Sequence, residues 1–137
     1  MDMILSSKME RLEELEIAFR WKGSLTSLSF MEHVDCCILF SNIFDNAIEA
    51  CANASTGRMI DMTAKATAQV IYIEIWNTMS GALQTEGDKI VTTKTDQELH
   101  GIGLQNITDI VDKYKGQLHI KREENKFVLQ IVFPFCE

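Results

Sequence analysis

The chain has 137 residues, 46% of them hydrophobic and 24% charged, with a formal net charge of −7. That length and apolar content suit one folded domain, 1–137, with a proper core, and they exclude a disordered chain. The acidic balance argues against nucleic acid or an anionic membrane surface as partner, and no apolar run reaches the roughly 20 residues of a membrane helix.

Met1 to Leu15 reads as a helix, with Ile4, Leu5, Met9, Leu12 and Leu15 spaced for one face. Asp2 and the charged run from Lys8 to Glu16 are unlike a signal peptide. Ile17, Phe19 and Trp21 then alternate with polar or small residues in a strand that Gly23 ends. Ser24 to Ser29 is loop-like, with a short strand expected near Leu28 to Met31. Asp35 is the expected N-cap of a central helix running to about Asn53, before a turn at Ala54–Gly57.

Two strands follow, about Arg58–Ala66 and Gln69–Asn77, joined tightly. In the second, Ile71, Ile73 and Ile75 share a face, and period-two alternation puts Asn77 on that inward face. A polar residue there suits a ligand-reading group or a strand-capping Asn. Thr78 to His100 lacks periodicity and is long for a connection in a compact domain, which marks a functional or mobile loop. A helix follows, carrying Ile102, Ile107, Ile110, Val111 and Tyr114, with Gly116 expected as its C′ residue. Last come strands at about Gln117–Arg122 and Lys126–Phe135, separated by Glu123–Asn125, with Pro134 marking an edge or a terminus. Hairpins in this order require a mixed or mostly antiparallel sheet with helices on one face, a two-layer α/β (α+β) sandwich. Of the four cysteines, Cys36, Cys37, Cys51 and Cys136, three sit in apolar segments and none forms a CxxC. Reduced core thiols of a soluble cytosolic protein are expected.

The central helix carries the chemistry. ILFSNIFDNAIEAC is apolar over most of its circumference, and Asn42, Asp45, Asn46 and Glu49 fall at i, i+3, i+4 and i+7 on one narrow stripe. The stripe holds no Lys or Arg, only short oxygen-bearing side chains of the kind that hold a hard cation. It reads either as the wet side of a core helix or as a pocket wall. His100-Gly101-Ile102-Gly103-Leu104 opens a helix, where glycines admit close approach and free amides meet the positive dipole end. That is an anion seat, although a lone GxG also serves a sharp turn. Lys89 and Lys94 precede it, and Lys113 and Lys115 add a local basic bias.

Together these segments resemble the ATP-binding catalytic domain of sensor histidine kinases, in the GHKL superfamily shared with gyrase, Hsp90 and MutL. The peptide quorum-sensing type is the nearest. FSNIFDNAIEAC is similar to the N box, and WNTMSG stands where the first glycine box falls. TTKTDQELHGIGLQNI resembles the lid and second glycine box, and Asp2-Met3-Ile4-Leu5-Ser6-Ser7-Lys8 the segment after the dimerisation helices. The resemblance implies that Asn46 ligates Mg²⁺, that Asn42 helps around the phosphates and that Asn77 reads adenine. It further implies ATP contacts at Gly81, His100, Gly101, Ile102, Gly103 and Leu104, with Lys94 a point charge and 78–100 a closing lid. Where hydrolysing relatives often carry a glutamate, Asn42 is an amide, which cannot activate water and suits transfer to a protein acceptor. Asn77 and Met79 replace the Asp and first Gly of the usual glycine box, so weak ATP affinity is expected. Glu49 stands where many such kinases have a basic residue and is left out of the site. None of His33, His100 and His119 suits a phosphoacceptor.

The implied activity is transfer of the γ-phosphoryl group to a histidine on the dimerisation helices of a membrane-anchored, dimeric parent kinase, with a response regulator downstream. A protein serine kinase of the anti-sigma-factor type and a non-catalytic module of the same fold share the pattern.

Overall fold

The computed structural model describes residues 2–23, 28, 30–52, 54, 57–79, 103–123 and 125–134, with side chains from residue 6 onward. In chain order the elements are α1 (Asp2–Glu14), β1 (Ala18–Gly23), α2 (His33–Ala52), β2 (Met59–Ala66), β3 (Val70–Thr78), α3 (103–113), β4 (Gln117–Glu123) and β5 (Lys126–Pro134). The strands form one five-stranded sheet in the order β1-β2-β3-β5-β4. β1 and β2 are parallel, with α2 as the crossover that a parallel pair requires, and every other neighbouring pair is antiparallel. No helix among the described residues is long and apolar enough to cross a membrane.

Alternation gives the sheet one dry and one wet face. Registers Met62↔Ile75↔Leu129 and Ala64↔Ile73↔Ile131 line up buried apolar residues across β2, β3 and β5. Leu12 from α1, Leu39 to Cys51 from α2, and Ile107, Ile110 and Val111 from α3 join the same cluster. The opposite face carries the Arg20–Asp61 ion pair at 2.5 Å and the Lys126 ammonium 4.2 Å from the Trp76 ring centre. The expected mixed-sheet sandwich is the observed architecture.

Several local expectations are corrected. Near Leu28 to Met31 there is a tight turn, in which the Met31 amide donates to the Leu28 carbonyl at 2.9 Å, and not a strand. In α1, Leu12 is buried and Leu15 packs partly against the core, while Met9 is 42% exposed. Only Cys51 is a core thiol; Cys36 and Cys37 are half-buried, all three are free, and Cys136 lies outside the described residues. Pro134 marks a strand terminus, as expected: it is the last residue of β5, paired with Val70 at the start of β3.

Gly116 is not the left-handed residue that ends α3. Lys115 takes that conformation, with φ of 62°, and its amide donates to the Asp112 carbonyl while the Gly116 amide donates to Val111. This is a Schellman closure one residue earlier than the glycine marks. Glycine is required at 116 for a different reason: a Cβ there would stand 2.8 Å from the Phe133 ring and 2.8 Å from the Val132 oxygen. α1 closes in the same way around Glu16, with φ of 56°.

Asp35 is not an N-cap either. α2 begins before it, and the Cys36 amide donates to the Glu32 carbonyl at 2.9 Å. The Asp35 carboxylate instead reaches α3, accepting from Lys113 Nζ at 2.7 Å and from the Tyr114 hydroxyl at 2.5 Å. That hydroxyl also accepts from the Glu32 amide at 3.0 Å. The Lys113 hydrogen bond, then that of Tyr114, holds the Asp35 carboxyl below its ordinary value.

Two outcomes follow. A left-handed conformation strains any residue with a Cβ, so Lys115→Gly raises stability by up to about 1 kcal/mol, read as a higher urea midpoint. A carboxyl with a lowered folded pKa contributes stability above the ordinary carboxylate range and loses it as pH falls through the folded value. Asp35→Asn therefore lowers the urea midpoint at pH 7, and its deficit against wild type shrinks on acidification; an equal deficit at pH 7 and at pH 3 would remove Asp35 as the cause.

Candidate functional site

α2 forms the wall of the site. It is free of Gly and Pro, and its buried side chains Leu39, Phe40, Ile43, Phe44, Ala47, Ile48 and Cys51 seat it on the sheet. The four polar positions of its stripe separate in function. Asp45 accepts from Lys8 Nζ at 2.6 Å and so ties α1 to α2. Glu49 is exposed. Asn42 donates from Nδ2 to the Ile38 carbonyl at 2.7 Å, which fixes the amide and leaves Oδ1 pointing elsewhere. That oxygen lies 3.5 Å from where a Cβ on Gly103 would stand, so the first residue of α3 sits against Asn42. Asn46, one turn further along, is only 7% exposed, and its side chain forms no hydrogen bond within the described residues. Its polar atoms are not among the buried unpaired atoms of the described residues, so the amide group reaches solvent at the wall of the site while the rest of the residue is covered.

The end of β3 supplies the other side. Asn77 faces the core between Ile60 of β2 and Phe127 of β5 and is 2% exposed. Its Nδ2 donates to the Thr78 carbonyl at 2.9 Å, leaving Oδ1 as an acceptor. The Thr78 hydroxyl accepts from the Met59 amide at 3.0 Å and stands 3.3 Å from Cys51 Sγ, which joins the end of α2 to this strand end. Thr78 therefore belongs to β3 and not to the long loop, and Met79 is buried in the core, its amide bonded to the Asn125 carbonyl at 2.9 Å. Met79 supplies core contact where the usual glycine box has no side chain.

Of the residues singled out in the sequence, Asn42 and Gly103 stand together, Asn46 lies one turn along α2 from Asn42, and Asn77 is next to last in β3, a strand that packs on α2. Leu104 packs partly against the core. Gly81, Lys89, Lys94, His100, Gly101 and Ile102 lie outside the described residues, as does the loop at 80–102. Lys113 is removed from the site: it pairs with Asp35 at the far end of α3, about 15 Å along the helix from Gly103. Sequence reasoning missed the Thr78–Cys51 contact and the Glu32–Asp35–Tyr114 cluster, which join positions 27 and 82 residues apart and leave no periodic trace. No group of three or more His, Cys, Asp or Glu among the described residues is placed to hold a metal ion. A hard cation here would be held by an amide oxygen, with ligand and water oxygens completing its shell.

The family model described as GHKL domain matches residues 31–134. The chain belongs to the GHKL family. No curated protein matches it. Among solved structures it is similar to the nucleotide-free catalytic domain of histidine kinase ThkA, with TM-score 0.73 and 18% identity over 97% of this chain and 88% of that one. Full-length ShkA in complex with AMPPNP matches with TM-score 0.73 and 16% identity, over 98% of this chain and 29% of that one. The histidine kinase AdeS of Acinetobacter baumannii matches with TM-score 0.69 and 15% identity, over 97% and 61% respectively. At these identities the likeness is one of fold: a GHKL ATPase-type domain built like histidine kinase catalytic domains.

An amide kept for a ligand should be dispensable to the empty domain. Asn46→Ala lowers the stability of the ligand-free chain by less than about 1 kcal/mol, whereas Ile43→Ala on the same helix costs about 2–5 kcal/mol. Urea unfolding of both variants measures the contrast, and equal losses would make Asn46 an ordinary packing residue.

Proposed function

We propose that this GHKL domain binds Mg·ATP between α2, the end of β3 and the start of α3, and donates the γ-phosphoryl group to a histidine on a separate dimerisation domain. The observation that carries the reading is Asn46 on the wall of the site, a largely covered residue whose amide makes no hydrogen bond among the described residues and still reaches solvent. Its oxygen suits a hard cation, and Asn77 Oδ1 suits the amine edge of adenine. Bound Mg²⁺ would neutralise phosphate charge.

The chain's own residues would do the rest by positioning. Asn42 is locked through Ile38, with its oxygen toward the first turn of α3. The backbone amides of Gly101 and Gly103 would face phosphate oxygens, Gly103 at the positive end of α3, with Gly81, Lys94, His100, Ile102 and Leu104 completing the nucleotide contacts. An amide at Asn42 cannot take a proton from water, so the attacking group would come with the acceptor protein. Rate would then come from alignment and charge neutralisation, without a covalent intermediate on this chain.

The acceptor would lie on dimerisation helices of the same parent kinase, a membrane-anchored dimer of the peptide quorum-sensing type with this domain in the cytosol. A response regulator would receive the phosphoryl group; ThkA has been solved with its response regulator protein TrrA. The buried Met79 favours one other reading, a GHKL fold kept as a regulatory module without nucleotide.

Calorimetric titration with a non-hydrolysable ATP analogue separates the two. Saturable binding that strengthens with Mg²⁺ is expected in wild type, and Asn46→Ala loses the Mg²⁺-dependent part while remaining folded. No binding to a folded sample at millimolar ligand would instead support the regulatory module.

A further inference from the structure

α2 carries a second set of donor atoms that phosphoryl transfer does not use. His33 and Cys37 stand at i and i+4, one turn apart on one helix face, and Cys37 Sγ lies 3.6 Å from His33 Nε2. His33 is exposed, and Cys37 is half-buried with a free thiol. At 3.6 residues per turn the pair lies roughly 140–180° around α2 from Asn42, away from the nucleotide side.

The spacing of these two atoms is informative. Tetrahedral zinc holds a thiolate sulfur at about 2.3 Å and an imidazole nitrogen at about 2.0–2.1 Å, which places the two donor atoms about 3.6 Å apart. The pair already has the length of one edge of such a site, on a helix whose backbone hydrogen bonds fix both Cα positions. We propose that His33 Nε2 and Cys37 Sγ form a two-ligand seat for a borderline divalent cation of the zinc type, with water in the remaining positions. Binding would release the thiol proton to solvent and leave the imidazole proton on Nδ1. Sulfur and imidazole donors select zinc-like ions and suit magnesium poorly, so the seat and the nucleotide site would not compete for one metal. Adjacent Cys36 is about 100° away around the helix.

The test is a titration of the whole chain with Co²⁺ under reducing, anaerobic conditions, followed by displacement with Zn²⁺. A thiolate-to-cobalt charge-transfer band that saturates at one equivalent and disappears with Zn²⁺ is expected. Cys37→Ser removes the band, His33→Ala weakens Co²⁺ binding by at least about 10-fold, and Cys36→Ser leaves it unchanged. Far-ultraviolet circular dichroism checks that each variant is folded. A missing band in folded wild type, a band that survives Cys37→Ser, or unchanged affinity in His33→Ala would each overturn the assignment.

Discussion

The structure depends on the burial of α2. Its side chains from Leu39 to Cys51 pack on the strands β2 and β3 and reach the core that all the described helices share. A helix seated this firmly cannot rotate, because each fully buried aliphatic side chain contributes about 1.5–3 kcal/mol and a rotation would expose several together. The orientation of Asn42 and Asn46 is therefore set by the apolar residues between them. Specificity on the polar side is held by oil on the other.

The same logic places Asn77. It occupies a core-facing position of β3 because the strand's alternation puts it there, and the side chains of its neighbours across the sheet, Ile60 and Phe127, have no polar group to offer its amide. One amide proton goes to the Thr78 carbonyl, which leaves the side-chain oxygen as an acceptor. A partner for that oxygen has to bring a hydrogen-bond donor.

Much of this was legible in the sequence because it is periodic. The two-residue repeat of Ile71, Ile73 and Ile75 carried Asn77 to the inner face, and the 3.6-residue repeat of α2 put Asn42 and Asn46 on one stripe. Closure at helix ends was less legible. The helix stop at Gly116 was visible, but glycine there serves contact with Phe133, and Lys115 takes the strained conformation. Local sequence rules name a glycine without saying which demand it meets. Asp35 was misread for a related reason. An acidic residue near a helix start satisfies a capping rule, yet its partners Lys113 and Tyr114 are far away in sequence. Nothing local distinguishes a carboxylate that caps from one that crosses between helices.

That crossing has a mechanical side. α3 is held at its C-terminal end by Asp35, by Tyr114 against Glu32, and by the tight fit of Gly116 on β5, while its other end meets Asn42. Over a rod of about 15 Å, a tilt of about 4° around the held end moves residue 103 by about 1 Å. The gap between the two helices at Gly103 is thus set by a fulcrum remote from it, and a side chain at that fulcrum can tune the aperture without touching anything that enters it.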